Sequence, residues 1–392
     1  MAVTLSDNRV RQARWAVLAV FFINGALFAN WVSRIPQIQD SLALSEGQLG
    51  LVLLGISVGV LVALVLVGGW VARFGSQRVT TVGAIFLSLL LPPLAWMPNA
   101  VLLWANLFLF GMALSTMDVA MNAQAVEVET LAKKPLMSTF HAAFSIGGFF
   151  GAAIGAGMAG QHIEPNIHFM IVAVVFIVFA LWVNRYLLSQ QSAEDTGERE
   201  PVFQLPSRAL LPLGIVAFAA ATSEGAMADW SGVYLSDIVQ ADAGTAALGF
   251  AVFSIMMTIG RLSGDYLTTR FSASRLVRVG GLIATAGIML AVLVPETITS
   301  LIGFGAVGLG ASTIVPLAFS AAGRLPDVSP SVGIAGVATI GYAGFLAGPP
   351  VIGLIAEITS LQVALIVVAL LASSLIFTAS ALNRAEDPEQ TD

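Results

Sequence analysis

The sequence predicts an all-α membrane protein: twelve transmembrane helices arranged as two parallel repeats of six, with both termini cytoplasmic. Three observations predict it. Long runs free of Asp, Glu, Lys and Arg are span-sized, because about 20 apolar residues cross the hydrocarbon of a bilayer. Basic residues fall on alternate loops, and short patterns recur once about half a chain apart. Composition agrees: of 392 residues, 57% are hydrophobic and 10% charged, and mean hydropathy is +0.89, whereas soluble domains are roughly 25% charged. Too little polar surface exists to cover a water-soluble globule.

The uncharged runs occupy residues 15–33, 47–72, 79–117, 135–163, 165–184, 209–223, 243–260, 279–295, 297–323, 328–356 and 358–383. The run 79–117 is long enough for two spans, and Pro92-Pro93 with Met97-Pro98-Asn99 mark a turn inside it, which brings the count to twelve. The first run is of span length and no small-residue cleavage pattern follows it, so it is expected to be the first helix rather than a removable signal. With no cysteine present, disulfides, thiolate metal sites and cysteine nucleophiles are excluded.

Orientation follows from the basic residues. Arg9, Arg11, Arg14, Arg73, Arg78, Lys133, Lys134, Arg185, Arg199, Arg208, Arg270, Arg275, Arg278, Arg324 and Arg384 share one set of loops, expected to be cytoplasmic. The opposite loops carry Asp40, Glu46, Glu164, Asp237, Asp242, Glu296 and Glu357 and no basic residue. Arg34 and Arg261 remain, both inside spans. The hydrophilic stretch 189–206 reads as a solvated linker of mixed charge, dividing a bundle of residues 1–188 from one of residues 207–392.

Comparing those halves reveals an internal repeat. RFGSQRV at 73–79 recurs as RFSASRL at 270–276, an offset of 197. Leu49-Gly50 recurs as Leu248-Gly249. Gly25-Ala26 followed by Ala29-Asn30-Trp31 recurs as Gly225-Ala226 followed by Ala228-Asp229-Trp230, and Gly148-Phe149 as Gly344-Phe345. An even number of spans separates equivalent points, so the halves enter the membrane in the same sense, as in transporters built from parallel repeats. A cavity between the halves that opens alternately to each side is the mechanism this architecture implies.

GGWVARFGSQRV at 68–79 resembles the loop signature between the second and third helices of the major facilitator superfamily, and GRLSGDYLTTRFSASR from Gly260 to Arg275 resembles the matching loop of its second half. The resemblance covers essentially the whole chain. It implies the major facilitator fold and assigns Arg73, Arg78, Arg261, Asp265, Arg270 and Arg275 to gating. Ala72 stands where the first signature usually has an acid. TMDVAMNAQ in the fourth helix resembles the fucose-permease-like branch, in which an acid and an Asn four residues later line the cavity; Asp118 and Asn122 match.

A carboxylate at mid-span costs about 2.5–3.5 kcal/mol on insertion scales, so acids kept there mark function. Asp118 lies nine residues before Glu127, roughly 13 Å along a helix axis, and shares a face with Asn122. Asp118, Glu224 and His141 are the expected proton-coupling groups, His141 entering the fifth helix at a matching depth. Asn24, Asn30, Trp31, Asn122, Asp229 and Trp230 are the expected substrate-binding residues, the tryptophans offering faces to a sugar ring or a cation. Arg34 paired with Asp229 is the expected outer gate. His162 and His168 are assigned no role.

No phosphate-cradling loop ending in Lys-Ser or Lys-Thr occurs, and no HExxH motif, so ATP-driven transport and metal chemistry have no support. The basic residues are topogenic and leave no nucleic-acid surface. The expectation is a monomeric inner-membrane secondary transporter, not an enzyme, with no cofactor and no metal. Its partners are a small polar or amphipathic solute, protons and the lipid bilayer. Two alternatives stay open: a proton-antiport exporter, and a membrane sensor that binds solute without moving it.

Overall fold

The computed structural model describes residues 7–134, 136–189, 210–325 and 328–385. Every regular element among them is helical, and twelve helices are long and apolar enough to cross a membrane. In chain order they are α1 (Asn8–Leu42), α2 (Glu46–Phe74), α3 (Ser76–Trp96), α4 (Ala100–Ala132), α5 (Met137–Gly160), α6 (Pro165–Asn184), α7 (Leu211–Ile238), α8 (Ala243–Gly264), α9 (Ala273–Leu293), α10 (Thr297–Ala322), α11 (Val332–Ile358) and α12 (Leu361–Asn383). The protein is an all-α, twelve-span membrane protein. The expected linker 189–206, with Arg199, lies outside the described residues except for Ser189, and so does Arg208; of Asp265 and Arg384 only the backbone is described.

Local chemistry sets the helix ends. The double proline tightens the chain into a 3-10 turn over Pro92–Trp96, and the Asn99 side chain then starts α4 by accepting from the Leu102 N–H at 3.0 Å. Asp242 starts α8 in the same way, accepting from the Gly244 and Thr245 N–H groups at 2.9 and 3.1 Å. The Thr245 hydroxyl, which donates to the other carboxylate oxygen at 2.6 Å, and these amides favour the ionised form, holding the Asp242 carboxyl below its ordinary range. Between α2 and α3 the chain turns at Gly75, whose φ of 81° lies in the left-handed region open to glycine.

Contacts divide the chain into two compact units: Met1–Leu42 with Gly55–Gly197, and Ala43–Leu54 with Glu198–Asp392. Residues 43–54 group with the second unit because the start of α2 packs on α11. The Glu357 carboxylate accepts from the Gly47 N–H at 3.0 Å, and a Cβ on Gly50 would sit 2.5 Å from the Pro349 carbonyl oxygen.

Within the first unit, α1 packs on α5 backbone to backbone. A Cβ on Gly25 would overlap the Phe144 carbonyl, and one on Gly147 the Phe22 carbonyl. Lipid is as apolar as leucine, so helices in it associate through close packing, and small residues bring the backbones near. In the second unit the corresponding seam joins α7 and α11 and is looser. A Cβ on Gly344 would stand 2.7 Å from the Phe218 carbonyl oxygen, and one on Gly348 only in ordinary contact with Thr222 Cγ2 at 3.9 Å.

Candidate functional site

In the first unit, α1 is interrupted at Ser33 and Arg34, between helical stretches Asp7–Val32 and Ile35–Leu42. The break places Arg34, fully buried, against α6. All three of its nitrogens are used: Nε donates to His168 Nδ1 at 3.0 Å, one terminal nitrogen to Gln37 Oε1 at 2.6 Å, and the other to the Ile163 carbonyl at 3.0 Å. Because guanidinium only donates, His168 Nδ1 must accept, and its proton sits on Nε2. That nitrogen donates to Asn30 Oδ1 at 2.7 Å, and the Asn30 amide donates to the Ala26 carbonyl at 2.7 Å. The chain of bonds is complete and points one way.

This network corrects one expectation. Within the first unit Arg34 is a buried cation, and His168 is its principal side-chain partner rather than a residue without a role. Four expected substrate contacts are also internal. Trp31 and Trp230 are 1% and 0% exposed, and Asn24 and Asn30 are 1% and 0% exposed. Asn24 donates to the Leu114 carbonyl at 3.2 Å, tying α1 to α4.

Accessible polarity in the first unit lies on α4. Asp118 and Asn122 are both half-buried, and the Asn122 amide donates to the Asp118 carbonyl at 2.9 Å and to its carboxylate at 3.3 Å. The face shared at i and i+4 is therefore formed as the sequence spacing requires. His141 is exposed on α5, its ring set edge-on against Phe21 with centroids 5.3 Å apart.

The second unit carries its own charged group. Glu224 of α7 pairs with Arg261 of α8 at 3.8 Å, with side chains 18% and 24% exposed. Arg261, which the resemblance assigns to gating, stands within α8 and pairs with an acid inside the bundle. Asp229, five residues along α7, is half-buried and makes no hydrogen bond among the described residues. Each unit thus holds partly accessible carboxyl groups within its spans. No group of three His, Cys, Asp or Glu able to hold a metal occurs among the described residues.

The family model described as Major Facilitator Superfamily matches residues 16–328. The chain belongs to the major facilitator superfamily. Among superfamily relatives, an uncharacterized MFS-type transporter of Yersinia pestis is 36% identical over 364 residues, covering 93% of this chain and 94% of the relative. Among solved superfamily structures, the nucleoside transporter NupG matches with a TM-score of 0.71 at 14% identity, covering 95% and 99% of the two chains. FucP, solved in the outward conformation, matches with a TM-score of 0.61 at 17% identity, covering 93% and 97%. These likenesses share the fold. The chain is a multi-pass membrane transporter of the superfamily.

The superfamily loop signatures show how their arginines are held. Arg73 stacks on Phe74 at 5.1 Å, Arg270 on Tyr266 at 4.6 Å and Arg275 on Phe271 at 5.0 Å, each an aromatic neighbour within its own loop region. The sequence reading missed three residues: His168, which it left outside the membrane interior; Glu357, which starts α2 from another helix; and Glu129, whose carboxylate accepts from the Met137 N–H at 2.9 Å and so caps α5. Only Glu129 carried a local signal, lying just before the break into α5.

Proposed function

We propose that this superfamily member is a proton-coupled secondary transporter of a small polar or amphipathic organic solute. Its membrane is the cell's inner membrane, both termini are cytoplasmic, and the two units rock against each other in alternating access. One observation carries the reading: carboxyl groups sit within the spans of each unit, Asp118 in the first and Asp229 with the Glu224–Arg261 pair in the second, all partly accessible. Such groups are costly in a bilayer, and a carboxyl that binds and releases a proton as its surroundings change is the simplest coupling device. The Asp118 and Asn122 pair supplies both an ionisable group and an amide able to recognise hydroxyl or carbonyl oxygens.

The test is reconstitution into liposomes with a pH-sensitive dye in the lumen. Adding a transported solute should move protons, and the sign of the pH change separates symport from antiport export. Asp118→Asn should abolish solute-driven proton movement while solute binding persists. If proton flux in Asp118→Asn equals that of the parent, coupling lies elsewhere and the reading fails.

A further inference from the structure

The first unit carries a cavity of about 640 Å³ bounded by α2, α3 and α4. Trp70, Phe74, Val82, Phe86 and Leu109 line it, and Arg78 stands at one end. Phe74, Val82, Phe86 and Leu109 are all exposed, so the cavity is a groove in the outer face of the unit, where spans meet lipid. Its lining on α3 runs from Arg78 to Leu90. Twelve residues of helix rise about 18 Å, close to the hydrocarbon depth of one leaflet at roughly 15 Å.

Charge is confined to one end of this groove. Arg78 is exposed and has no partner among the described residues, Arg73 lies five residues before it in the same loop region, and residues 68–79 contain no Asp or Glu to neutralise either. An apolar channel one leaflet deep, with uncompensated arginine at the level of the head groups, matches the chemistry of an anionic phospholipid. We infer that this groove binds one acyl chain of an anionic phospholipid from the adjacent leaflet, with Arg78 holding the phosphate. Arginine suits the task because its fork of donors meets two phosphate oxygens at once. The site is separate from the carboxyl groups assigned to coupling and stands whether or not that assignment does.

Native mass spectrometry of the full-length protein, delipidated in detergent and titrated with phosphatidylglycerol or phosphatidylcholine, tests it. The parent should retain phosphatidylglycerol about fivefold better, the preference expected of one arginine near a membrane surface. Arg78→Ala should bring the two lipids level, Arg78→Lys should keep part of the preference, and Arg11→Ala, a basic change on the α1 terminus, should leave it intact. Val82→Trp, which fills the groove from an exposed position, should reduce retention of both lipids. Equal binding of both lipids by the parent would overturn the inference. So would a preference that survives Arg78→Ala, phosphatidylglycerol retention unaltered by Val82→Trp, or a groove filled by detergent alone.

Discussion

The two units use equivalent helices for opposite ends. On α1, Asn30 is fully buried and both ends of its amide are hydrogen-bonded, one to His168 and one to the Ala26 carbonyl. On α7, the repeat places Asp229 at the same position, half-buried and without a hydrogen bond among the described residues. The seams differ as well. The backbones of α1 and α5 touch at Gly25 and Gly147, whereas the seam of α7 and α11 is tight at Gly344 but leaves room for a methyl group at Gly348. One copy of the duplicated helix has become a fixed strut, while the other keeps an ionisable group within reach of solvent. Duplication supplied the backbone position, and the side chain decided its use.

The largest test of this contrast is at the seams. Gly147→Leu forces a side chain into the Phe22 carbonyl and should cost more than about 4 kcal/mol, so no folded protein should elute in size-exclusion chromatography. Gly348→Ala, in the looser seam, should melt like the parent, whereas Gly147→Ala, whose Cβ would overlap the Phe22 carbonyl, should melt lower; if the two alanine variants melt alike, the seams do not differ. Next comes the Arg34 network. His168→Leu strands a buried cation and should cost about 3 kcal/mol, read as a lower melting temperature in detergent, with Gln retaining more stability than Leu.

Smaller effects separate the two equivalent positions. Asn30→Ala leaves His168 Nε2 without an acceptor and should cost about 2 kcal/mol. Asp229→Asn should melt no lower than the parent, because no hydrogen bond among the described residues depends on the carboxylate, and its effect should appear in transport assays alone. A destabilised Asp229→Asn variant would show that Asp229 is structural and erase the contrast.

The smallest concerns the helix starts. α2 begins under a carboxylate from α11, whereas α8 is capped by its own Asp242. Asp242→Ala should cost about 1 kcal/mol. The sign with pH follows from the depressed folded-state value. The stabilisation is present above the ordinary aspartate pKa and is lost as pH falls through the lower folded value. The gap in melting temperature between parent and Asp242→Ala should therefore close under strongly acidic conditions.

Much of the fold was legible because lipid imposes it. Uncharged runs of span length, the proline break before Asn99 and the recurrence of RFGSQRV as RFSASRL need only the chain itself. The Asp118 and Asn122 pair was legible too, since four residues on a helix fix a shared face. What stayed hidden was which side of each helix looks inward. α1 is apolar nearly all round, so no periodic pattern marks its faces, and Trp31 and Asn30 read equally well as lining or as filling. The partner of Arg34 was hidden for a different reason: His168 is 134 residues away and sits beside a loop that sequence alone places in water.

The buried tryptophans are also instruments. Trp31 and Trp230 occupy the same repeated position, one in each unit, both fully buried and each with an indole nitrogen that has no hydrogen-bond partner among the described residues. Trp15, Trp96 and Trp182 are at least half exposed on the outer faces. A quencher carried on lipid tails reaches the second group and not the first. With Trp15, Trp70, Trp96, Trp104 and Trp182 replaced and either Trp31 or Trp230 retained, the emission at short wavelength reports from one unit, so unfolding of the two six-helix bundles can be followed separately in a single intact chain.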